Sequence, residues 1–396
     1  MYIEIDPSFA EPPAGFIPAP SVDPQDRLAR LRLSRSHRVG PVTFQRLLAD
    51  HGTASAALQA LPGIANAAGI ERYSICPEPV ALAEMRAAKR AGAQMLCLGD
   101  AAYPALLASI PNPPPILWAL GQVTLLQRPM IGIVGTRNAS SLGARMARRL
   151  ACELGEAGFV VVSGLARGID ALAHAAALET GTIGIHAGGL DVIYPRETTN
   201  LAQDMANKGL RLSEQRFGLE PQARDFPRRN RIVSGLCSAL IVVEAAARSG
   251  SLITARLALD QGREVMAVPG HPLDTRTSGC NSLIRDGASL VRNATDVLEA
   301  LGAPARAPTP PADHPLAESR RIRIAETLAE GRPQRAEPAT KLHSQILAHL
   351  GPTPIAEDQL IRDLALNAQQ VARELVRMEM TGEVDRLPGG LLSRPV

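Results

Sequence analysis

Two short stretches carry most of the chemistry this chain can offer. They are Ile131-Gly132-Ile133-Val134-Gly135-Thr136-Arg137 and Ser163-Gly164-Leu165-Ala166-Arg167-Gly168-Ile169-Asp170. Each runs from a short apolar strand into a Gly/Ser/Thr turn that carries an arginine, with a helical pattern behind it. Glycines let backbone N–H groups approach a phosphate, and a helix N-terminus adds a favourable dipole. The candidate phosphate contacts are therefore Gly135, Thr136, Arg137, Ser163, Gly164, Arg167 and Gly168. Three further segments look polar or cationic. Gly188-Gly189-Leu190-Asp191-Val192-Ile193-Tyr194-Pro195-Arg196 contributes Tyr194 and Arg196. Phe226-Pro227-Arg228-Arg229-Asn230-Arg231 contributes Phe226, Arg229, Asn230 and Arg231. Arg248-Ser249-Gly250-Ser251 opens a helix whose first turn includes Thr254. Any one of these also suits tight packing alone, but together they point to a polyanion.

Several ligand classes fall away on spacing. A dinucleotide fingerprint needs G-x-G-x-x-G with an acid about 20 residues on. Here Gly132-Ile133-Val134-Gly135 breaks the spacing, and the next strand ends in Ser163. No G-x-x-x-x-G-K-[ST] occurs, so no nucleoside-triphosphate P-loop is expected. Single-stranded nucleic acid fits better: Arg137, Arg196, Arg229 and Arg231 would meet phosphates, and Tyr194 and Phe226 would meet bases. Aromatic residues make up only 3% of the chain, which argues against a long stacking platform and for backbone-dominated, salt-sensitive binding. Other polar residues have structural readings. Asp170 and His174, one helical turn apart, suit a helix start, Glu244 suits hydrogen bonds to nearby loop N–H groups, Tyr194 can brace its own turn, and Asn230 can cap a helix.

Elements must position these residues. Apolar runs at Met130–Val134, Phe159–Ser163, Thr182–His186, Leu210–Ser213, Leu240–Glu244 and Glu264–Val268 read as strands. Helical patterns at Leu142–Glu156, Ile169–Glu179 and Ser251–Gln261 lie between them. Apolar strands alternating with helices predict an α/β domain, its parallel sheet covered on both faces, with ligands at the carboxyl ends of the strands. That domain is expected over residues 93–301. A helical module of the SAM or helix-hairpin-helix kind is expected over 25–82, with Val39-Gly40-Pro41 separating two helices and Leu61-Pro62-Gly63-Ile64 ending another. Its glycine turn suits either a DNA backbone or plain helix packing. Residues 1–24 are proline-punctuated and read as a disordered tail, and 302–340 as a Pro/Ala-rich linker. Over 341–396 three helices (Ile346–Leu350, Glu357–Leu364, Ala368–Thr381) and a hairpin around Pro388-Gly389-Gly390 predict a winged helix. Its third helix carries Gln369, Gln370, Arg373 and Arg377, diluted by Glu374, Glu379 and Glu383, so DNA and protein partners both stay open.

Bulk properties set wide bounds. The chain has 396 residues, 45% of them hydrophobic, and a formal charge of +3, which neither requires nor excludes nucleic acid. Lysine occurs only at Lys89, Lys208 and Lys341, so arginine supplies almost all positive charge. That suits bidentate phosphate contacts, and it is equally what an arginine-preferring genome produces. The widely spaced cysteines predict neither a metal site nor disulfides. With no apolar run of membrane-spanning length and no signal-like N-terminus, the expectation is a soluble protein of a reducing cytoplasm, with no membrane partner and no cofactor.

The motifs together resemble the DprA/Smf family. They comprise Gly99-Asp100 with Tyr103-Pro104 and Leu106, Pro114-Pro115-Ile116-Leu117-Trp118 with Gly121, the G-[ST]-R turn at 135–137, S-G-x-A-x-G-I-D at 163–170 and G-L-D-x-x-Y-P at 189–195. F-P-x-R-N-R-I at 226–232, E-A-x-x-x-S-G-S-L-I-T-A at 244–255 and V-P-G at 268–270 complete the set. The resemblance implies an extended Rossmann-like domain flanked by a small helical domain and a winged helix. It also implies a cytoplasmic, commonly dimeric, non-enzymatic protein that binds incoming single-stranded DNA and loads RecA onto it in natural transformation. In this family the arginine of the G-[ST]-R turn contacts DNA, which is Arg137 here. The basic residue after Y-P, often lysine in relatives, is Arg196. The alternative is a nucleotide-binding phosphoribohydrolase of a related Rossmann-like family. Those enzymes resemble the chain at 248–254, but Thr254 stands at the position of their catalytic glutamate.

Overall fold

The computed structural model describes residues 24–302, 339–350, 354–387 and 391–394. The expected tail at 1–24 and linker at 302–340 fall almost wholly outside these residues, as does the hairpin tip at 388–390. The chain divides into two compact units, one through Ala294 and one from Thr295 onward.

In the first unit, four helices come first: α1 (Pro24–Arg35), α2 (Pro41–His51), α3 (Ala54–Ala67) and α4 (Glu78–Arg90). Phe44, Leu47, Ala57, Leu58 and Leu61 pack together against Leu33 and Ala29 of α1. Leu31, on the other side of α1, packs instead with Cys97, Ile116 and Trp118 of the next domain. The helix is thus buried on two faces and joins the two cores. Its arginines reinforce the joint: Arg27 binds the Met95 carbonyl at 2.7 Å and Asp100 at 2.9 Å, and Arg30 binds the Leu98 carbonyl at 3.0 Å. Arg35 pairs with Glu84 at 2.8 Å, and Glu84 also accepts from the Trp118 indole at 2.8 Å. Pro62 does not end its helix. α3 runs through it to Ala67, because Leu58, Leu61 and Ala65 share a buried face whose packing offsets the lost N–H bond.

A nine-stranded sheet follows. Its strands are β1 (Gln94–Cys97), β2 (Ile116–Gly121), β3 (Met130–Val134), β4 (Val160–Ser163), β5 (Thr182–Ile185), β6 (Leu210–Ser213), β7 (Ala239–Val242), β8 (Glu264–Ala267) and β9 (Ser289–Leu290). The order is β1-β2-β6-β5-β4-β3-β7-β8-β9. From β6 to β9 all neighbours are parallel, while β1–β2 and β2–β6 are antiparallel. Each expected strand forms, buried along nearly its whole length, as parallel strands covered on both faces must be. The connecting segments hold α5 (Ala105–Ala108), α6 (Ser141–Glu156), α7 (Ile169–Ala176), α8 (Thr199–Lys208), α9 (Asp225–Leu236), α10 (Gly250–Asp260) and α11 (Ser278–Arg285). The antiparallel pair β1–β2 and the helix α9 were not foreseen. This is a Rossmann-like sheet extended at the β6 edge.

In the second unit, α12 (Ala294–Ala300), which begins at the division, is followed by α13 (Ala339–His349), β10 (Ile355–Ala356), α14 (Glu357–Leu364), α15 (Ala368–Met380), β11 (Asp385–Leu387) and β12 (Leu391–Ser393). The strands pair as β10-β12-β11. Ile346, Leu360, Val371, Leu375, Met378 and Leu392 are among the side chains that close its core. This is the expected winged helix. Much of its positive charge is neutralised internally. Arg386 lies 2.6 Å from both Glu357 and Glu379, and Arg377 lies 3.6 Å from Glu374. Among the described residues no helix is long and apolar enough to cross a membrane, and no cluster could hold a metal ion.

Candidate nucleic-acid interface

The strand order reverses at β3: β4, β5 and β6 continue to one side and β7, β8 and β9 to the other. A doubly wound sheet opens its ligand crevice at that reversal, between the loops after β3 and β7. Here the chain closes the crevice with its own groups. The Thr136 N–H donates to the Glu244 carbonyl at 2.7 Å, and the Ser251 hydroxyl donates to the Gly135 carbonyl at 2.7 Å. The Glu244 carboxylate accepts from the Ser140 N–H at 3.2 Å and the Ser140 hydroxyl at 2.8 Å, at the start of α6. The first helix N-terminus, where dinucleotide enzymes seat a pyrophosphate, is therefore occupied by an internal anion. Burial raises the Glu244 pKa, opposed by the Ser140 hydrogen bonds and by Arg276.

The open part of the site lies over the ends of β3, β4 and β5. Arg137 is exposed, and its guanidinium stands 5.6 Å from the centre of the Phe226 ring. Phe226 in turn lies 5.7 Å from Tyr194, with the rings tilted by 57°. Tyr194 is 54% exposed. Together with Gly164, Leu165, His186 and Gly188, the two aromatic rings line a cleft. One cation and two aromatic faces, from two loops and the first turn of α9, thus meet beside a backbone cradle, a combination that suits a phosphate with a flanking base. Arg167 and Arg196 are also exposed on the loops after β4 and β5.

The cradle depends on two unusual backbone positions. Leu165 has φ +55° and Gly168 has φ +79°. A Cβ at Gly168 would lie 2.6 Å from the Arg137 carbonyl oxygen, so this glycine is what lets the loop after β4 nest against the G-T-R turn. Asp170 closes the loop from below by accepting from the Gly164 N–H at 3.0 Å. Its buried carboxyl is raised in pKa by desolvation, opposed by Arg229 and by backbone N–H groups. His174 lies beneath, with Nδ1 2.7 Å from the Thr182 hydroxyl and Nε2 3.4 Å from the Leu165 N–H. Thr182 gives its own proton to the Val161 carbonyl at 2.8 Å, so it accepts from Nδ1, and Nε2 faces the loop unprotonated. Asp170 and His174 are thus braces of the loop before α7 rather than caps of its start, which is Gly168 with no side-chain cap.

Several expected contacts sit elsewhere. The 226–231 patch is not a loop but the first half of α9, and helical phase splits its cations. Arg229 points inward and donates to the carbonyls of Gly164 and Ile185; it is 7% exposed. Arg231 is equally buried and pairs with Glu214 at 2.5 Å. Neither guanidinium faces solvent as a phosphate ligand would, because Ile232, Val233 and Leu236 set the inner face of this helix. Arg228 is the exposed cation there, and reading the segment as a helix from those apolar positions would have found it. Asn230 lies inside α9 and accepts from Arg229 at 3.3 Å, so it caps nothing. Ser163 is fully buried and donates to the Ile133 carbonyl at 2.6 Å, and Thr254 is 3% exposed. Arg248 and Gly250 are exposed at the start of α10, whose Ser249 cap accepts from the Ser251 N–H at 3.3 Å. The structure therefore gathers Arg137, Tyr194 and Phe226 at the surface and uses Ser163, Arg229, Arg231 and Thr254 inside.

Comparison with known proteins identifies three matching domains. Residues 94–302 match the family described as DNA recombination-mediator protein A, residues 24–87 match the DprA-like N-terminal HHH domain, and residues 330–390 match the DprA winged helix domain. Protein Smf of Synechocystis is 37% identical over 313 residues, covering 75% of this chain and 79% of the relative. DNA processing protein DprA of Bacillus subtilis is 45% identical over 220 residues, covering 55% of this chain and 74% of the relative. The X-ray structure of DNA processing protein A from Streptococcus pneumoniae superposes with a TM-score of 0.59 at 34% identity, covering 71% of this chain and 98% of that one. With all three domain matches in order along the chain, and the closed crevice setting it apart from dinucleotide enzymes, this protein belongs to the DprA/Smf family of DNA recombination mediators.

Proposed function

We propose that this protein binds single-stranded DNA without sequence preference, protects incoming strands and loads RecA onto them during natural transformation. It acts in the cytoplasm as a homodimer, without a cofactor and without catalysing a reaction, through domains at 25–82, 93–301 and 341–396. The carrying observation is the Arg137–Phe226–Tyr194 cluster beside the 163–170 cradle. The strand's phosphates lie on Arg137 and the loop N–H groups, with Gly135, Thr136, Gly164 and Gly168 shaping the backbone. Bases turn toward Tyr194 and Phe226. Arg167, Arg196, Arg228 and Arg248 extend the positive surface.

The phosphoribohydrolase alternative is not favoured. Thr254 is buried where that chemistry needs a glutamate, and Glu244 is engaged by Ser140. Release of free base from a nucleoside monophosphate by the intact protein would reverse this ranking.

Arg137→Ala is expected to weaken binding to labelled oligo-dT by about 1–3 kcal/mol, roughly five- to 150-fold, as for the loss of a charge-assisted contact. In a salt titration by fluorescence anisotropy the same variant should lower the log–log slope by about 0.7, one phosphate contact on a single strand. Unchanged affinity and slope in a folded variant would remove Arg137 from the interface.

A further inference from the structure

The turn that carries Arg137 is held at both ends by one residue. At its start, the Thr136 N–H donates to the Glu244 carbonyl at 2.7 Å. At its end, the Ser140 N–H and hydroxyl donate to the Glu244 carboxylate at 3.2 and 2.8 Å. Between these anchors Thr136 is braced twice more, its hydroxyl by the Asn138 N–H and its carbonyl by the Ile169 N–H, each at 3.2 Å, while Arg137 to Ala139 hang from the Glu244 contacts. Glu244 itself is rigidly placed. It is 2% exposed at the end of β7, and Arg276 lies 3.9 Å from its carboxylate while pairing with Asp274 at 2.9 Å. Gly143 leaves room for it, since a Cβ there would collide with the carboxylate oxygen. The Ser140 hydroxyl passes the link on by accepting from the Gly143 N–H at 3.0 Å.

We propose that Glu244 is the positioning residue of the DNA site: its carboxylate and its carbonyl together clamp the 136–140 turn so that Arg137 stands over Phe226 before DNA arrives. The proposal rests on the reading of Arg137 as a DNA contact. A carboxylate that cannot be reached by solvent ligands is spent on geometry, and preorganising a long, flexible arginine lowers the entropy lost when it grips a phosphate. The effect of Glu244 on binding therefore passes through Arg137, which separates this role from a general contribution to folding.

The test is a double-mutant cycle on the full chain, read by oligo-dT anisotropy with thermal unfolding as the control for folding. Glu244→Asp keeps the carbonyl anchor but draws the carboxylate back from Ser140, and is expected to weaken binding roughly three- to tenfold. Glu244→Gln keeps an acceptor for Ser140 and is expected to bind within about twofold of wild type. In the Arg137→Ala background Glu244→Asp is expected to cost nothing further. Ser140→Ala removes the other half of the same link and should show the same non-additivity, so the cycle survives if one variant fails to fold. Equal losses with and without Arg137, or no loss for Glu244→Asp alone, overturn the clamp. If Arg137→Ala itself leaves affinity unchanged, the DNA reading of the site fails first and the clamp falls with it.

Discussion

Arg229→Ala is expected to cost about 3–5 kcal/mol of folding free energy, the range for stripping one partner from a buried charge. The guanidinium is nearly enclosed; burial lowers its pKa to about 10, opposed by the nearby Asp170 carboxylate, with Arg137 adding to the lowering. Its removal orphans the carbonyls of Gly164 and Ile185 and leaves the Asp170 carboxylate buried without its countercharge. Gly164 is the first residue of the cradle loop, and a Cβ there would lie 2.5 Å from the Arg229 guanidinium, so loop and strut are fitted to one another. Affinity for single-stranded DNA should therefore fall along with stability, because Arg229, although nearly buried, also lines the cleft beside Tyr194 and Phe226. Arg229→Lys keeps the charge but loses the fork that reaches two carbonyls, and should recover only part of the loss. Urea unfolding of the two variants checks this, and wild-type stability for Arg229→Ala would show that the strut carries nothing.

Acid should loosen the same region. Burial, aided by Arg229, pushes the His174 pKa down to about 3, against an opposing contribution from the Ser163 carbonyl. His186 is pushed well below its ordinary value by burial and by Arg211. Arg211 donates to His186 Nε2 at 3.0 Å and to the Leu190 carbonyl at 2.5 Å, so a proton on Nε2 would face a donor. Both histidines are neutral when folded and bind protons once unfolded. The unfolded state therefore holds more protons below pH 6.5, and stability must fall as pH drops from there toward the folded values. The slope is about 1.4 kcal/mol per pH unit for each histidine. Asp170 and Glu244, whose pKa values are raised by burial, bend the curve the other way, because each favours the folded state as it gains its proton. The difference between wild type and His174→Gln in urea unfolding isolates one histidine. A variant with the same slope as wild type would mean that His174 is not buried neutral.

Both predictions concern residues whose roles were only partly visible in the sequence. The strands were legible because residues buried on both faces must be apolar, and such runs as Met130–Val134 or Leu240–Val242 have no competing interpretation once turn residues follow them. The turn residues were legible because Gly135, Gly168 and their neighbours stand where a strand hands over to a helix. β1 and β2 were not, because an antiparallel edge pair has no long crossover helix to mark it, and the four-residue α5 between them is too short to show a helical period. Pro62 misled because a proline is read locally, whereas the buried face of α3 holds the helix together across it.

The sequence alone determined the parallel α/β sheet, the flanking helical and winged-helix domains, and the presence of Arg137 and Tyr194 on loops at the carboxyl ends of strands. These follow from periodicity and from residue types that only a few backbone conformations accept. Only the tertiary structure decided which arginines face outward. Arg228 and Arg229 are adjacent in sequence and chemically identical, and one is exposed while the other is sealed beneath Gly164. That difference arises from the roughly 100° of turn between neighbouring residues of a helix, combined with what lies under that helix. It was likewise the fold that decided which loop Glu244 holds, since the Ser140 it grips is 104 residues away along the chain and adjacent only once β3 and β7 pair.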